Sequence, residues 1–362
     1  FLTAVGFIEI YRIDNDLAAL QRWSLMVAAT VAVGLIWILR DAGVAVLRQY
    51  RYVLLAVAVA LLLLPLLPDT FPVIHGATVN GSRLWVRIDL PFLERTLSFQ
   101  PGEIAKVLIV SFLASYLAER SEAMAASSRE IGRFKVPEPR NLGPILIAAG
   151  AAFFILIYQK DLGASLLLFA LFIVMIYIAT SRFAYLVTGA ALSLIAGVIA
   201  YQSFSHVRIR IDAWLDPFGH YYGAGYQTIQ GLFAMGSGSL TGSGIGLGRP
   251  DLIPAATTDF IFAAVAEEMG LAGSVAVLAG FAMLIAAGFG IATRAKDRYR
   301  KYLAGGLTAA IGIQAMIILG GVLTLLPITG LTLPLMSYGG SSLIANLVIL
   351  ALLLRISHEE RA

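Results

Sequence analysis

Cysteine is absent from all 362 residues. Disulfides, thiolate nucleophiles and cysteine-bound metal centres are therefore excluded. Charge is scarce. Asp, Glu, Lys and Arg make up 13% of the chain, against about a quarter in a soluble domain. The four histidines, His75, His206, His220 and His358, lie far apart and never take the HExxH-like spacing of a helix-borne metal pair. No basic face carries interleaved aromatics, which argues against a nucleic-acid partner. The net charge of +4 reads instead as loop charge on a membrane protein. Strand-rich soluble segments are lacking, and so are the ten-residue alternating strands of a membrane barrel.

What is present is apolar. Hydrophobic residues reach 59% and mean hydropathy is +0.84. One soluble core of this size could not hide that much apolar surface, so lipid must be the solvent. A helix needs roughly 20 apolar residues to cross the hydrocarbon layer. Ten candidate spans are legible, at about 1–12 (incomplete), 22–40, 52–67, 101–119, 142–158, 162–180, 183–204, 258–290, 303–325 and 338–355. The expected fold class is an all-α integral membrane protein, a single polytopic membrane domain over 1–362 with about ten transmembrane helices. The stretch 258–290 is too long for one perpendicular crossing and predicts a tilt, an interfacial piece or a break. The chain opens at Phe1 with no initiator Met, no charged n-region and no small-residue cleavage site. It reads as starting partway through a first membrane helix rather than with a signal peptide.

Lys and Arg orient the bundle. One set of loops carries sixteen of them, densest over Arg294–Lys301, and the opposite set carries nine. The richer side is expected to be cytoplasmic. Two long loops, about 68–100 and 205–257, then become extracytoplasmic. Loops of that length are functional more often than idle. The first holds Gly81-Ser82-Arg83-Leu84-Trp85-Val86-Arg87 and leads into Gln100-Pro101-Gly102-Glu103; the second holds Arg208, Arg210, Asp212, Trp214, Gln227 and Gln230.

Charges at or within spans tend to face a cavity or a partner, because each is costly in hydrocarbon. Asp259 sits at the outer edge of its span. It can be a general base at the membrane boundary, or simply an acidic helix start favoured by the helix dipole. Glu267 and Glu268 lie deeper on the same span. On an ideal helix Glu267 is about 80° around and roughly 12 Å along from Asp259, which does not make an inverting-glycosidase carboxylate pair. These two are expected to cap or bridge neighbouring helices. Glu103 and Lys106 are spaced three apart and predict an ion pair, either neutralising two buried charges or presenting Lys106 to an anionic substrate. Asp161 follows a tight turn and is expected to cap the next helix, with cavity lining as the alternative. The run Gly236–Gly248 could wrap a phosphate through backbone N–H groups. It lacks the Gly-Lys-Ser/Thr ending of a P-loop, so a flexible re-entrant loop is the default expectation. Pro334-Leu-Met-Ser337-Tyr-Gly-Gly-Ser341-Ser342 breaks the helix and places hydroxyl donors at the entrance to the last span.

Three stretches together resemble the SEDS family of bacterial shape, elongation, division and sporulation proteins. They are Pro327–Ser342, Thr258-Asp259-Phe260-Ile261-Phe262 with Ala266-Glu267-Glu268-Met269-Gly270, and Gln100-Pro101-Gly102-Glu103 with Lys106. Lys160-Asp161-Leu162-Gly163 and the glycine-rich run add to the likeness, which extends over nearly the whole chain. Thr257, Leu84, Gly102 and Lys160 depart from the family pattern without removing a titratable group on which the expected reaction relies. The resemblance implies a peptidoglycan glycosyltransferase that polymerises lipid II into glycan strands, nearer the elongation (RodA-like) branch than the division (FtsW-like) branch. It implies a multi-pass protein of the bacterial cytoplasmic membrane with its active site facing outward. It also implies a class B penicillin-binding protein as transpeptidase partner, with lipid II, the growing glycan strand and membrane lipid as further partners. On this reading Asp259 is the catalytic residue. Arg83, Trp85, Glu103, Lys106, Asp161, Arg210, Gln227, Ser337, Ser341 and Ser342 are candidate substrate contacts. No cofactor is evident; a divalent cation, Mg or Mn, could assist the departing pyrophosphate. A lipid II flippase and a non-catalytic scaffold are the rival expectations. The internal repeat common in transporters is not found in the sequence.

Overall fold

The computed structural model describes residues 1–68, 70–71, 73–79, 82–90, 95–126, 128–131, 134–137, 143, 149–150, 154–155 and 157–361. Most of the expected span at about 142–158 lies outside these residues, as do Gly81, Arg133 and Arg140. The elements in order are α1 (Leu2–Ile13), α2 (Asn15–Ala42), α3 (Ala45–Gln49), α4 (Arg51–Leu63), β1 (Ile74–Val79), β2 (Ser82–Leu90), β3 (Arg95–Phe99), α5 (Pro101–Ala126), β4 (Ser128–Ile131) and β5 (Phe134–Pro137). They continue with α6 (Leu162–Thr180), α7 (Ala184–Ser203), α8 (Ser205–Leu215), α9 (Tyr226–Gly238), α10 (Ile261–Arg294), α11 (Arg298–Val322) and α12 (Gly340–Glu359).

The fold is an all-α membrane bundle. Among the described residues seven helices are long and apolar enough to cross a membrane: α2, α5, α6, α7, α10, α11 and α12. The apolar piece Arg51–Leu66 is shorter. Composition alone does not tell which helices are central, since all are apolar. Burial does: 89% of the apolar window of α11 is enclosed by protein, but only 6% of that of α7. The exposed Val, Ile and Leu side chains of α7 therefore face what a membrane supplies as hydrocarbon.

The chain divides into two compact units. One unit takes in Thr30–Ala191, Ala287–Ala310 and Leu347–Ala362. Here α4, α5 and α6 pack together. Gly306 of α11 lets Met175 and Val110 close against its backbone, since a Cβ there would fall 2.8 Å from Met175 Cε. One end of the unit is stitched by charge. Arg300 bonds Glu359 at 3.2 Å and Glu360 at 3.0 Å, Arg355 bonds Glu359 at 3.0 Å, and Glu359 accepts the Val44 amide at 2.9 Å.

The first long loop is more ordered than its sequence was read to be. It folds as a three-stranded antiparallel sheet, β1-β2-β3. Arg83, Trp85, Arg87 and Asp89 alternate with Leu84, Val86 and Ile88, and successive side chains of a strand point to opposite faces. Val86 is fully buried. The sheet is tied to helix ends: the Gly76 amide donates to the Leu67 carbonyl at 3.1 Å and the Arg83 amide to the Gln159 carbonyl at 3.2 Å. Gly76 is required at this junction, because a Cβ would fall 2.0 Å from the Pro65 carbonyl oxygen.

The other unit takes in Phe1–Ala29, Leu192–Ala286 and Ile311–Asn346. In it, α10 is interrupted at Gly270, whose φ of 65° and ψ of −161° leave the helical region. That is the break foreshadowed by the length of the 258–290 stretch. The helix begins at Ile261, so Asp259 stands in a turn before it rather than inside its first turn.

Candidate active site

Asp259 ends a continuous run of turns. The Leu252 amide donates to Arg249, Ile253 to Pro250, Ala256 to Ile253, and both Thr258 and Phe260 to Ala255, at 3.0–3.2 Å. Ala255 takes a left-handed φ of 57°, which a residue with a Cβ adopts only when its surroundings enforce it. Enforcement comes from the Pro334–Ser342 stretch. The Tyr338 amide donates to the Thr257 carbonyl at 2.8 Å, and the Ser337 hydroxyl donates to the Thr258 carbonyl at 2.5 Å. Ser337 also accepts the Leu333 amide at 2.8 Å. Gln21 of α2 brackets this strap, donating to the Ser337 carbonyl and accepting the Gly339 amide, both at 3.3 Å.

Asp259 lines a small cleft together with Phe260, Ile318, Val322, Thr329 and Gly330. Arg210 reaches the same place. Its Nη1 donates to the carbonyls of Ile328 at 3.2 Å and Thr329 at 3.0 Å. One helical turn on, Trp214 donates from Nε1 to the Thr324 carbonyl at 2.8 Å. Residues four apart share a helix face, so α8 grips the 324–330 loop with two side chains. Gly330 lies between the charges. An atom at its Cβ position would sit 3.8 Å from both Asp259 Oδ2 and Arg210 Nη2. Its φ of 77° is a conformation open to glycine.

This setting changes the acidity of Asp259, which lies outside the spanning segment. Burial pushes the carboxyl up from its ordinary 3.8 to about 6, although the Thr258 hydroxyl and the Arg210 guanidinium both pull it down. Desolvation wins because Arg210 acts through space while its Nη1 is engaged by two carbonyls. The carboxylate keeps some solvent contact. It is thus a base that remains mostly ionised at neutral pH and holds a proton better than an ordinary Asp.

The other sequence-predicted residues fall into two groups. Gln227 of α9 donates to the Pro254 carbonyl at 3.0 Å and so steadies the run of turns that ends at Asp259. Ser341 and Ser342 are buried. The Ser342 hydroxyl accepts Thr332 Oγ1 at 2.9 Å and Asn346 Nδ2 at 3.2 Å. Ser337 and Ser342, expected as donors to substrate, are thus occupied inside the protein, and the strap is structural before it is anything else. Arg83, Trp85, Glu103, Lys106 and Asp161 belong to the other unit. Glu103 and Lys106 form the expected ion pair, at 2.8 Å and almost fully buried. Asp161 caps α6, accepting the Ala164 amide at 2.8 Å. Arg83 and Trp85 lie on one face of β2, half-buried. Among the described residues no group of three or more Asp, Glu or His side chains is placed to hold a metal ion.

The glycine-rich run is neither a phosphate wrap nor a free re-entrant loop. It is spliced into the break of α10. The amides of Ser243 and Gly244 donate to the carbonyls of Glu267 and Glu268 at 2.9 and 3.0 Å, while those of Leu271 and Ala272 donate to Ser239 and Leu240 at 3.0 and 3.2 Å. Two carbonyls and two amides beside the break thus find partners in the loop, as backbone polar groups away from water require. Glycine is needed for close approach: a Cβ on Gly238 would fall 1.9 Å from the Ala266 carbonyl oxygen, and one on Gly242 2.1 Å from that of Glu268. Composition could not distinguish such docking from flexibility. Gln21, Glu9 and Arg12 were also missed; their one signal is a polar side chain within an apolar stretch.

Comparison with known proteins bears on this geometry. The family described as cell cycle protein, FtsW/RodA/SpoVE, matches residues 2–362. The chain belongs to this family. The peptidoglycan glycosyltransferase RodA of Mycobacterium tuberculosis is 38% identical over 372 residues, covering 99% of this chain and 76% of that protein. Stage V sporulation protein E of Bacillus subtilis is 36% identical, covering 87% of this chain and 80% of the relative. Among solved structures, one showing how a peptidoglycan synthase complex coordinates polymerization and crosslinking is similar at a TM-score of 0.75 and 27% identity, covering 99% of this chain and 95% of that chain. The rod shape determining protein RodA of Thermus thermophilus is similar at a TM-score of 0.66 and 26% identity, covering 100% and 94%.

Proposed function

We propose that this family member is a peptidoglycan glycosyltransferase that polymerises lipid II for cell elongation and shape, with Asp259 as its general base. Its active site faces outward across the bacterial cytoplasmic membrane, and a class B penicillin-binding protein cross-links the product. The observation that carries this reading is the Asp259 carboxylate, held at the mouth of a cleft by a braced run of turns and raised in pKa to about 6. A catalytic base works best with a pKa near the working pH.

The reaction is acetal transfer. A sugar hydroxyl of one lipid-linked disaccharide attacks the anomeric carbon of the other substrate. The new C–O bond forms as the bond to undecaprenyl pyrophosphate breaks. The hydroxyl proton passes to Asp259, and the electron pair leaves with the pyrophosphate. A positioned base contributes about 10²–10⁴-fold. Arg210, whose guanidinium lies beside Gly330 with Asp259, supplies fixed positive charge where negative charge develops.

Purified protein given lipid II, with its transpeptidase partner and with divalent cation varied, tests this directly. Glycan strands from wild type and none from a folded Asp259→Ala variant are expected. Equal product from both would return Asp259 to a structural role. Movement of labelled lipid II across vesicles with no polymer would favour the flippase reading.

A further inference from the structure

The run of turns that carries Asp259 has a second anchor, ten residues upstream and deep in the same unit. The Arg249 amide donates to Glu267 Oε1 at 2.8 Å, and the Gly246 amide donates to Glu268 Oε2 at 3.0 Å. Arg12 of α1 closes the knot. Its Nε pairs with Glu268 Oε1 at 2.5 Å and its Nη2 donates to the Gly248 carbonyl at 2.5 Å. Three side chains from two helices thus hold residues 246–249 by their backbone. The two backbone amides and the Gly248 carbonyl thus make part-buried, charge-assisted hydrogen bonds, and the Arg12–Glu268 contact is an ion pair. From Arg249 onward, each turn is bonded to the next as far as Phe260, so a displacement at the anchor travels to Asp259 instead of dissipating in a slack loop.

Glu9 of α1 gives the anchor an internal opponent. It is fully buried, and neither carboxylate oxygen has a hydrogen-bond partner. It is coupled electrostatically to Glu268, Arg12 and Glu267. Glu9 and Glu268 therefore both act on one guanidinium, and Glu9 competes with Glu268 for it. Like charges so placed weaken whatever contact both could make.

We propose that Arg12, Glu267 and Glu268 are positioning residues for the Asp259 carboxylate, latching the upstream end of the segment that carries it, with Glu9 setting the strength of the latch. This rests on the reading of Asp259 as the base. Substrate need not touch any of the four. Their removal should lower turnover and shift the acidity of Asp259 while leaving substrate affinity nearly unchanged.

The test joins hydrogen exchange on the purified protein with polymerisation of lipid II. In Glu267→Leu and Arg12→Lys, faster exchange of the amides of residues 243–249 and of 255–260 is expected. In Glu9→Gln the same amides should exchange more slowly. Glu267→Gln keeps an acceptor for the Arg249 amide and should restore near wild-type behaviour if Glu267→Leu folds poorly. In activity, the weakened latch should lower kcat about tenfold with KM changed less than about twofold. The acid limb of the pH–rate profile should move down from about 6, because a displaced Asp259 gains water. A residue that merely stabilises the fold would lower activity without moving that limb. Faster exchange at 243–249 with 255–260 and the limb unmoved would overturn the proposal, as would unchanged exchange throughout. If wild type makes no polymer, the catalytic reading fails, and the exchange data still decide whether the latch holds the Asp259 segment.

Discussion

Replacing Asp259 by Asn should make the protein more stable at neutral pH, and only there. In the folded chain the carboxyl holds its proton up to about 6, against 3.8 ordinarily. The folded state therefore binds the proton more tightly than the unfolded state. Stability associated with this group is fully present below 3.8, declines as pH rises, and is lost once pH passes about 6. One pH decade corresponds to 1.36 kcal/mol, so full conversion gives a ceiling of about 3 kcal/mol. The carboxylate keeps partial solvent contact, and screening reduces the effect to about 1–2 kcal/mol. Asn retains the shape and never carries the charge, so it escapes the loss. Thermal unfolding in detergent should show Asp259→Asn melting about 2–6 °C above wild type at pH 8, with the two nearly coincident at pH 4. A variant that melts below wild type at pH 8, or a gain of equal size at both pH values, would refute the desolvation argument.

Other expectations follow from single contacts. Ser337→Ala removes the hydroxyl that joins Leu333 to Thr258; a loss of about 1–3 kcal/mol is expected for two buried groups left unpaired, with reduced polymerisation, read by unfolding and product gels. Gly242→Ala combines a φ of 84° with a Cβ only 2.1 Å from the Glu268 carbonyl oxygen; it should unsplice the loop, lower melting by more than any surface control, and fail to yield monodisperse protein if the overlap cannot relax. Lys106→Met strands the buried Glu103 and should cost about 3–5 kcal/mol, while Glu103→Gln/Lys106→Met recovers most of it; near-additive losses in that double-mutant cycle would show that the two charges are not coupled. Tyr222 is 99% exposed in the second long loop of a cysteine-free chain, so Tyr222→Cys should react with an impermeant thiol reagent from outside intact cells; protection there would reverse the membrane orientation.

Much of the fold was legible because lipid imposes a simple rule. Long apolar runs become helices, and the ends of α5, α6 and α11 fall near their predicted places. The three-stranded sheet of the first loop was missed, although the alternation over Arg83–Leu90 was readable; the apolar helices on either side dominated the pattern. Spacing made the Glu103–Lys106 pair and the Asp161 cap legible, whereas Asp259 reads equally as a base or as an acidic helix start and the family resemblance alone favours the base. The bonds that Ser337 and Ser342 make inside the protein were not legible. A hydroxyl facing substrate and one holding a backbone carbonyl are written alike in sequence, and tertiary partners alone separate them. Gly236–Gly248 failed for a related reason. Glycine marks flexibility and close approach equally, and the partner that decides between them, the carbonyls around Gly270, lies about 30 residues away in the chain. Glu9 and Arg12 bear on Glu268 across more than 250 residues, a distance no local pattern spans.

The pH profile of kcat/KM for lipid II polymerisation, taken on wild type between pH 4.5 and 8, tests most directly whether Asp259 is the base, because it reports the acidity of the free protein. Activity that rises with pH through a midpoint near 6, and is absent at every pH in a folded Asp259→Asn, is the expected result. A rising limb retained in Asp259→Asn, or one centred near the ordinary 3.8, would contradict it.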